Sequence, residues 1–249
     1  MYPSGGQPEK VESATGKLNA YFDGRQPEIM GMIERLVNMD SFSEDGEDVN
    51  KVGETVSGWM REAGFHTEKI AKPAIDPDES WMEKLGNVFS ARTHEREAGP
   101  GIVFLGHMDT VFPAGTAAAR PFRVEGGRAY GPGVADMKAG VAGVLFAMAL
   151  LKESNVCLKG NIRLHIVSDE ESGGEYGSAW LCEHGYAKGA NGCLVAEPTS
   201  MATIEIGQKG GMLLTIRAHG KAAHGSLGNY KGENAILKMA KVLPLVEKL

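Results

Sequence analysis

GIVFLGHMDT, residues 101–110, is a short apolar run that ends abruptly in an imidazole and a carboxylate. Its four large apolar residues, Ile102 to Leu105, sit between Gly101 and Gly106 and read as a strand in the interior of a sheet. The same form recurs twice downstream. NIRLHIV (161–167) runs into Ser168-Asp169-Glu170-Glu171, and GCLVA (192–196) runs into Glu197-Pro198. Between the first two lies a strongly apolar helical stretch, 136–152, opened by Asp136 after the turn Gly131-Pro132-Gly133. Upstream, Ile29, Met32, Ile33, Leu36 and Val37 repeat at helical spacing from Glu28. A second helix is expected over 47–63 with Gly64 as its stop, another around 177–184 after that of 136–152, and a further strand over 86–92. Residues 72–84 read as a surface loop, 111–133 as a Gly/Pro-rich crossing and 1–24 as a loose polar leader. Helices alternating with short apolar strands predict an α/β layered domain.

Near residue 208 the pattern changes. MLLTIRAH (212–219) alternates like a half-buried strand, and GENAILKMAKVL (232–243) reads as an amphipathic helix that Pro244 ends or kinks. This divides the chain into a catalytic domain, 1–208, and the opening of a small α+β lid or dimerisation domain, 209–249. Lys209-Gly210-Gly211 is the expected hinge.

Composition narrows the function classes. The 249 residues carry 26 Lys+Arg against 32 Asp+Glu, a net charge of −6, and 42% are hydrophobic. That is too apolar and too evenly charged for a disordered chain. The acidic balance argues against a nucleic-acid partner. The longest apolar run, Val141 to Leu151, is too short to span a bilayer, and no signal-peptide core precedes it, so no membrane partner and a cytoplasmic location are expected. Cys157, Cys182 and Cys193 are odd in number and form no CxxC pair, which suggests neither a disulfide framework nor a thiolate zinc site. Glycine, 34 of 249, stands at about twice its usual share of ~7%, implying many tight turns or close backbone approaches.

The chemistry lies where the apolar runs end. Active sites of open α/β sheets form beyond the carboxyl ends of parallel strands, so the tips at His107, Glu170-Glu171 and Glu197 are expected to converge with Asp136. Each piece alone has a plain structural reading: a strand-end His, a helix N-cap Asp, a solvated acidic turn. Together they gather acids without a matching set of cations, and such carboxylates need a metal or must protonate. Imidazole with carboxylate oxygens and no thiolate suits Zn2+, or Co2+ or Mn2+ in its place. His107 and Asp109, two apart, face the same side of an extended chain, so Asp109 can accept the ring N–H not used for metal. Adjacent Glu170 and Glu171 point differently, so one can ligate while the other holds a water.

GHMDTVFP (106–113), YGPGVADMKAG (130–140), SDEESGG (168–174), AEPT (196–199) and GKAAHGS (220–226) resemble, in order and spacing, the co-catalytic zinc exopeptidases and deacylases. That group includes bacterial glutamate carboxypeptidase, acetylornithine deacetylase, succinyl-diaminopimelate desuccinylase and aminoacylase. The wording of the first two motifs looks most like glutamate carboxypeptidase. The resemblance covers about 28–249 and implies a mixed sheet flanked by helices, two zinc ions per complete subunit and a homodimer formed through the lid. It implies that His107 and Glu197 hold one metal, Glu171 helps hold the other, Asp136 bridges them, Glu170 is the general base and Asp109 orients His107. It further implies a cis peptide at Asp136–Met137. His224 would serve the partner subunit's site, steadying the scissile carbonyl. The implied substrate is a small N-acyl amino acid or a peptide with a free C-terminal carboxylate. His165, His184 and His219 find no counterpart and read as structural. The family's His for the second metal and its substrate-binding Arg also lack counterparts within 1–249. The chain therefore reads as the N-terminal part of such an enzyme, expected to be inactive alone. The alternative is a non-catalytic metal-binding or dimerising module derived from that family.

Overall fold

The helical spacing that starts at Glu28 becomes α1, Gln26–Val37, with Pro27 in its first turn and Ile33, Leu36 and Val37 buried. The structure is a computed structural model, and it describes residues 22–74, 83–94, 100–153, 158–200, 202–207, 215–226 and 231–248. The middle of the 72–84 loop, most of the leader, Cys157 and the expected hinge at Lys209-Gly210-Gly211 lie outside the described residues. α2, Gly46–Glu62, begins where the Asp45 carboxylate accepts the Asp48 N–H at 3.3 Å, and it buries Val49, Val52, Val56 and Met60. It ends at Gly64, whose φ of 80° lies in the left-handed region.

Among the described residues five strands form one sheet: β1 (His66–Ile70), β2 (Val88–Arg92), β3 (Gly101–His107), β6 (Asn161–Val167) and β7 (Gly192–Val195), in the order β1-β2-β6-β3-β7. β1/β2 and β2/β6 run antiparallel, while β3 runs parallel to both β6 and β7. The fold is α/β, a mixed sheet flanked by helices. One face of the sheet, with Phe89, Ala91, Ile162, Leu164 and Ile166, packs on α1, α2 and the long helix α4 (Ala139–Glu153) to form the main core. The other face carries a smaller cluster of Ile70, Val88, Val167 and Leu181. β1 is absent from the sequence expectations because HTEKI, an edge strand, buries only Ile70 and shows no apolar run.

The 111–133 crossing is more ordered than expected. It holds the short helix α3 (Thr116–Ala119) and the hairpin of β4 (Arg123–Glu125) with β5 (Arg128–Tyr130). Gly126 and Gly127, at φ 58° and 75°, supply the positive φ values of its two-residue turn. α4 starts three residues later than expected, because Val134–Lys138 forms an irregular turn in which Asp136 and Met137 leave helical geometry. That turn and α4 together, Val134–Glu153, are long and apolar enough to cross a membrane by composition, more than the shorter apolar run suggested. Core packing of Val141, Ala142, Leu145, Phe146, Met148 and Leu150 accounts for that apolarity. The helix expected at 177–184 is only α5, Trp180–Glu183, behind another wide turn at Glu175–Ala179.

The chain divides into two compact units, residues 1–200 and 201–249. In the second, Lys221 bridges Glu233, and α6 (Ala235–Val246) starts where the Asn234 side chain accepts the Leu237 N–H at 3.0 Å. One expectation is corrected here. Residues 215–219, the described part of the expected 212–219 strand, are extended and show no ladder pairing with other described residues. Of the two outcomes expected at Pro244, the helix does not end there but continues to Val246, and at the last turn the missing N–H forfeits a single bond.

Candidate metal centre

Parallel pairing in register, with His107 opposite Val167 and Leu105 opposite Val195, brings three strand ends to one side. There the His107 ring is 1% exposed. Its Nε2 lies 3.0 Å from Asp136 Oδ1, 3.2 Å from Glu197 Oε1 and 3.9 Å from Glu170 Oε2. Ligand atoms of His107, Asp136 and Glu197 all fall within 4.8 Å of one another, close enough to share one ion. The turn before α4 delivers Asp136 through a cis Asp136–Met137 peptide, the bond the resemblance implies. Glu197 is delivered by a close backbone approach: a Cβ on Gly140 of α4 would stand 2.1 Å from the Ala196 carbonyl oxygen.

The other side of the ring is held by residue 109. His107 Nδ1 is 3.0 Å from the Asp109 carbonyl and 3.4 Å from its carboxylate Oδ1. That carboxylate, fully buried, also accepts the Ser43 hydroxyl at 2.7 Å and the N–H groups of Glu170 and Glu171 at 3.3 and 3.2 Å. Glu170 thus reaches the imidazole, whereas Glu171 stands outside the group of three and within the field of Asp136.

Electrostatics shows what the donor set lacks. Burial alone would depress the His107 pKa, but Asp109, Glu197 and Glu170 reverse that and carry it to about 10. Burial, with Asp136 and Glu170, pushes Glu197 up to about 7 against the opposing pull of His107. Burial and then Asp136 raise Glu171 as well. One imidazole among five acids is short of positive charge, which a divalent cation would supply. Nitrogen and carboxylate donors without sulfur fit zinc, cobalt or manganese.

Residues 103–242, more than half of the chain, match the sequence pattern of peptidase family M20/M25/M40. The chain belongs to this family. Among relatives of the M20/M25/M40 chain is Carboxypeptidase G2 of Pseudomonas sp. (strain RS-16), 31% identical over 220 residues, which cover 88% of this chain and 50% of the relative. Another is succinyl-diaminopimelate desuccinylase of Gluconobacter oxydans (strain 621H), 33% identical, covering 68% of this chain and 44% of the relative. The chain thus spans about half the length of the curated relatives it matches. In fold it is similar to human carnosine dipeptidase 1, with TM-score 0.59 and 17% identity over 71% of this chain and 39% of that one. A tripeptidase of Staphylococcus aureus subsp. aureus Mu50 gives TM-score 0.57 and 19% identity over 87% of this chain and 55% of that one.

Away from this cluster, three other histidines make other contacts. His165 is buried with Nδ1 2.7 Å from the Ser90 hydroxyl, and burial with nearby Arg163 lowers its pKa to about 4, so it is neutral. His184 stacks on Trp180 at 4.0 Å. His224, in the second unit, has Nδ1 2.6 Å from the Ser226 hydroxyl and 3.3 Å from the Ser226 N–H.

The sequence carries no sign of the supporting roles of three residues: Ser43, Lys138 and, beyond its place in the cis peptide, Met137. Lys138 is fully buried, its Nζ donating to the Met39 carbonyl at 2.7 Å, and burial pulls its pKa down to about 8. Met137 accepts the His107 backbone N–H on its sulfur at 3.1 Å. Met137→Leu keeps the volume but leaves that buried N–H without an acceptor. The variant should lose about 1–3 kcal/mol of unfolding free energy in urea titration. A loss below about 0.5 kcal/mol would show that the sulfur contact is incidental.

Proposed function

We propose that the chain is the metal-binding part of a hydrolase that cleaves the amide bond of small N-acyl amino acids, or of the C-terminal residue of small peptides, in the manner of a glutamate carboxypeptidase. The observation that carries this reading is the His107–Asp136–Glu197 cluster beside Glu170 at the carboxyl ends of parallel strands. A carboxypeptidase and desuccinylases among the relatives support amide substrates bearing a free carboxylate. In the proposal His107, Asp136 and Glu197 would hold one zinc ion and Glu171, with Asp136, would help hold a second; cobalt or manganese could stand in. The chemistry such ions would supply is Lewis acidity toward a carbonyl and a water. Glu170, half exposed, would act as the general base, taking a proton from the attacking water and passing it to the leaving amine. Asp109 engages Nδ1 and so leaves Nε2 of His107 for the ion. His224, whose Nδ1 is engaged by Ser226, would present its Nε2 to steady a carbonyl in the partner subunit's site of a homodimer. The proposed place of action is the cytoplasm.

Metal-free chain titrated with zinc should take up one ion tightly, since three protein ligands and a water satisfy zinc's four-coordinate preference. His107→Ala should remove that uptake. Absence of zinc binding in the parent chain, or tight binding that survives His107→Ala, would sink the reading. A second tight ion would mean that ligands beyond these acids and this imidazole complete the centre.

A further inference from the structure

Asn38–Ser43, the segment between α1 and α2, is tied to three of the stretches that build the centre. The Asn38 side chain accepts the Phe122 N–H at 2.8 Å, and the Asp40 carboxylate accepts those of Gly115 and Ala117 at 2.7 and 2.8 Å. These bonds pin the crossing that leads to Asp136. The Met39 carbonyl takes Lys138 Nζ, two residues past Asp136. The Ser41 carbonyl accepts the Thr110 N–H at 2.7 Å, Phe42 forms a parallel bridge with Thr110, and the Ser43 N–H donates to the Thr110 carbonyl at 3.2 Å. The last link is the buried Ser43 hydroxyl on Asp109 Oδ2.

We propose that Ser43 is a positioning residue for the metal centre: by holding the Asp109 carboxylate it fixes the backbone turn that presents Glu170 and Glu171 beside His107. The distances carry the argument. Oδ2 of Asp109 takes the Ser43 hydroxyl at 2.7 Å and the Glu171 N–H at 3.2 Å, while Oδ1 takes the Glu170 N–H at 3.3 Å. The hydroxyl bond is the short one, and the two amide bonds are near the long end of the normal range. Remove the hydroxyl and the carboxylate plane is left to the two long amide bonds and to His107 Nδ1, 3.4 Å from Oδ1, with Oδ2 losing its one short bond. Both amides then lose their common acceptor geometry, and the two glutamates lose their fixed place. The link to metal rests on the reading of this cluster as a metal centre; the link from Ser43 to the 170–171 turn does not.

The test uses the whole chain, first freed of metal. Hydrogen exchange at the Glu170 and Glu171 amides should speed up about tenfold in Ser43→Ala, as expected for loss of one hydrogen bond to a charged group. Ser43→Thr keeps the hydroxyl and should restore slow exchange. Ser43→Cys, close in size but a weak donor, should fall between, and it decides the matter should Ser43→Ala fail to fold. Ser57→Ala, which deletes a buried hydroxyl on α2 away from the centre, should change neither amide. Cobalt titration should then show binding about tenfold weaker in Ser43→Ala, with a shifted visible absorption band, and parent-like binding in Ser43→Thr. Unchanged exchange at both amides in Ser43→Ala overturns the proposal, as does equal acceleration throughout α2 and α4, the mark of general loosening. If the parent chain takes up no cobalt, the metal reading fails while the exchange rates still judge Ser43.

Discussion

In a catalytically active, two-metal version of this protein, replacing Glu170 by alanine should lower amide hydrolysis by about 10²–10⁴, the usual worth of general-base assistance, and leave bound zinc nearly unchanged. In the same version Glu171→Ala should lose the second zinc together with activity. The two residues share a turn and both hang from Asp109, so any loss of turn structure would affect them alike. Their side chains differ in place: Glu170 stands 3.9 Å from the imidazole, and Glu171 lies in the field of Asp136. Zinc content and turnover are to be read on the same samples of the two variants. Because Glu170 is the nearer of the two to His107, the informative contrary result is metal loss on Glu170→Ala and retention on Glu171→Ala. That outcome would exchange the roles of the pair.

The second large effect belongs to a residue with no functional group. Gly140→Ala would gain up to ~1 kcal/mol of helix propensity on an open surface. Here its Cβ would meet the Ala196 carbonyl at 2.1 Å, and backbone cannot swing aside as a flexible side chain would. Steric cost of about 1–3 kcal/mol outweighs the propensity gain. The displacement falls on the strand end that carries Glu197, so zinc affinity should fall about 10–100-fold, as when a supporting contact of a ligand is lost. Gly143, one turn on, has nothing within 4 Å of its Cβ position. Gly143→Ala should therefore be neutral or slightly stabilising with zinc affinity intact. Equal behaviour of the two variants in zinc and thermal titrations would remove close packing as the reason for Gly140.

How much of the fold and the site was legible depended on what each residue contacts. The strands β3, β6 and β7 announce themselves as apolar runs that stop at charged residues, and their parallel register makes those stops neighbours. β1 gives no such signal, since an edge strand buries little. Alternation at 215–219 looks like a strand locally, but pairing is a property of two segments and not of one. The acids and His107 stood out because unpaired carboxylates are costly. Ser43 could not stand out, for a serine between two helices looks like any turn residue until its acceptor, sixty-six positions away, is known. Met137 sits inside a quoted motif, yet a thioether acting as hydrogen-bond acceptor has no sequence signature.

The cluster draws His107 from before α4, Asp136 from the turn that opens it, and Glu197 from beyond β6 and α5. A chain emerging from the ribosome can assemble α1, α2 and the β1–β2 pair from local contacts, but it cannot close the triad until the residues after β7 are free. The ion site is therefore among the last features of the first unit to exist, because its members must wait for the longest loop closures. On the proposed reading chelation would report on completeness: a half-folded chain would hold the acids without holding a cation, and capture of an ion would wait for β7 to dock on β3.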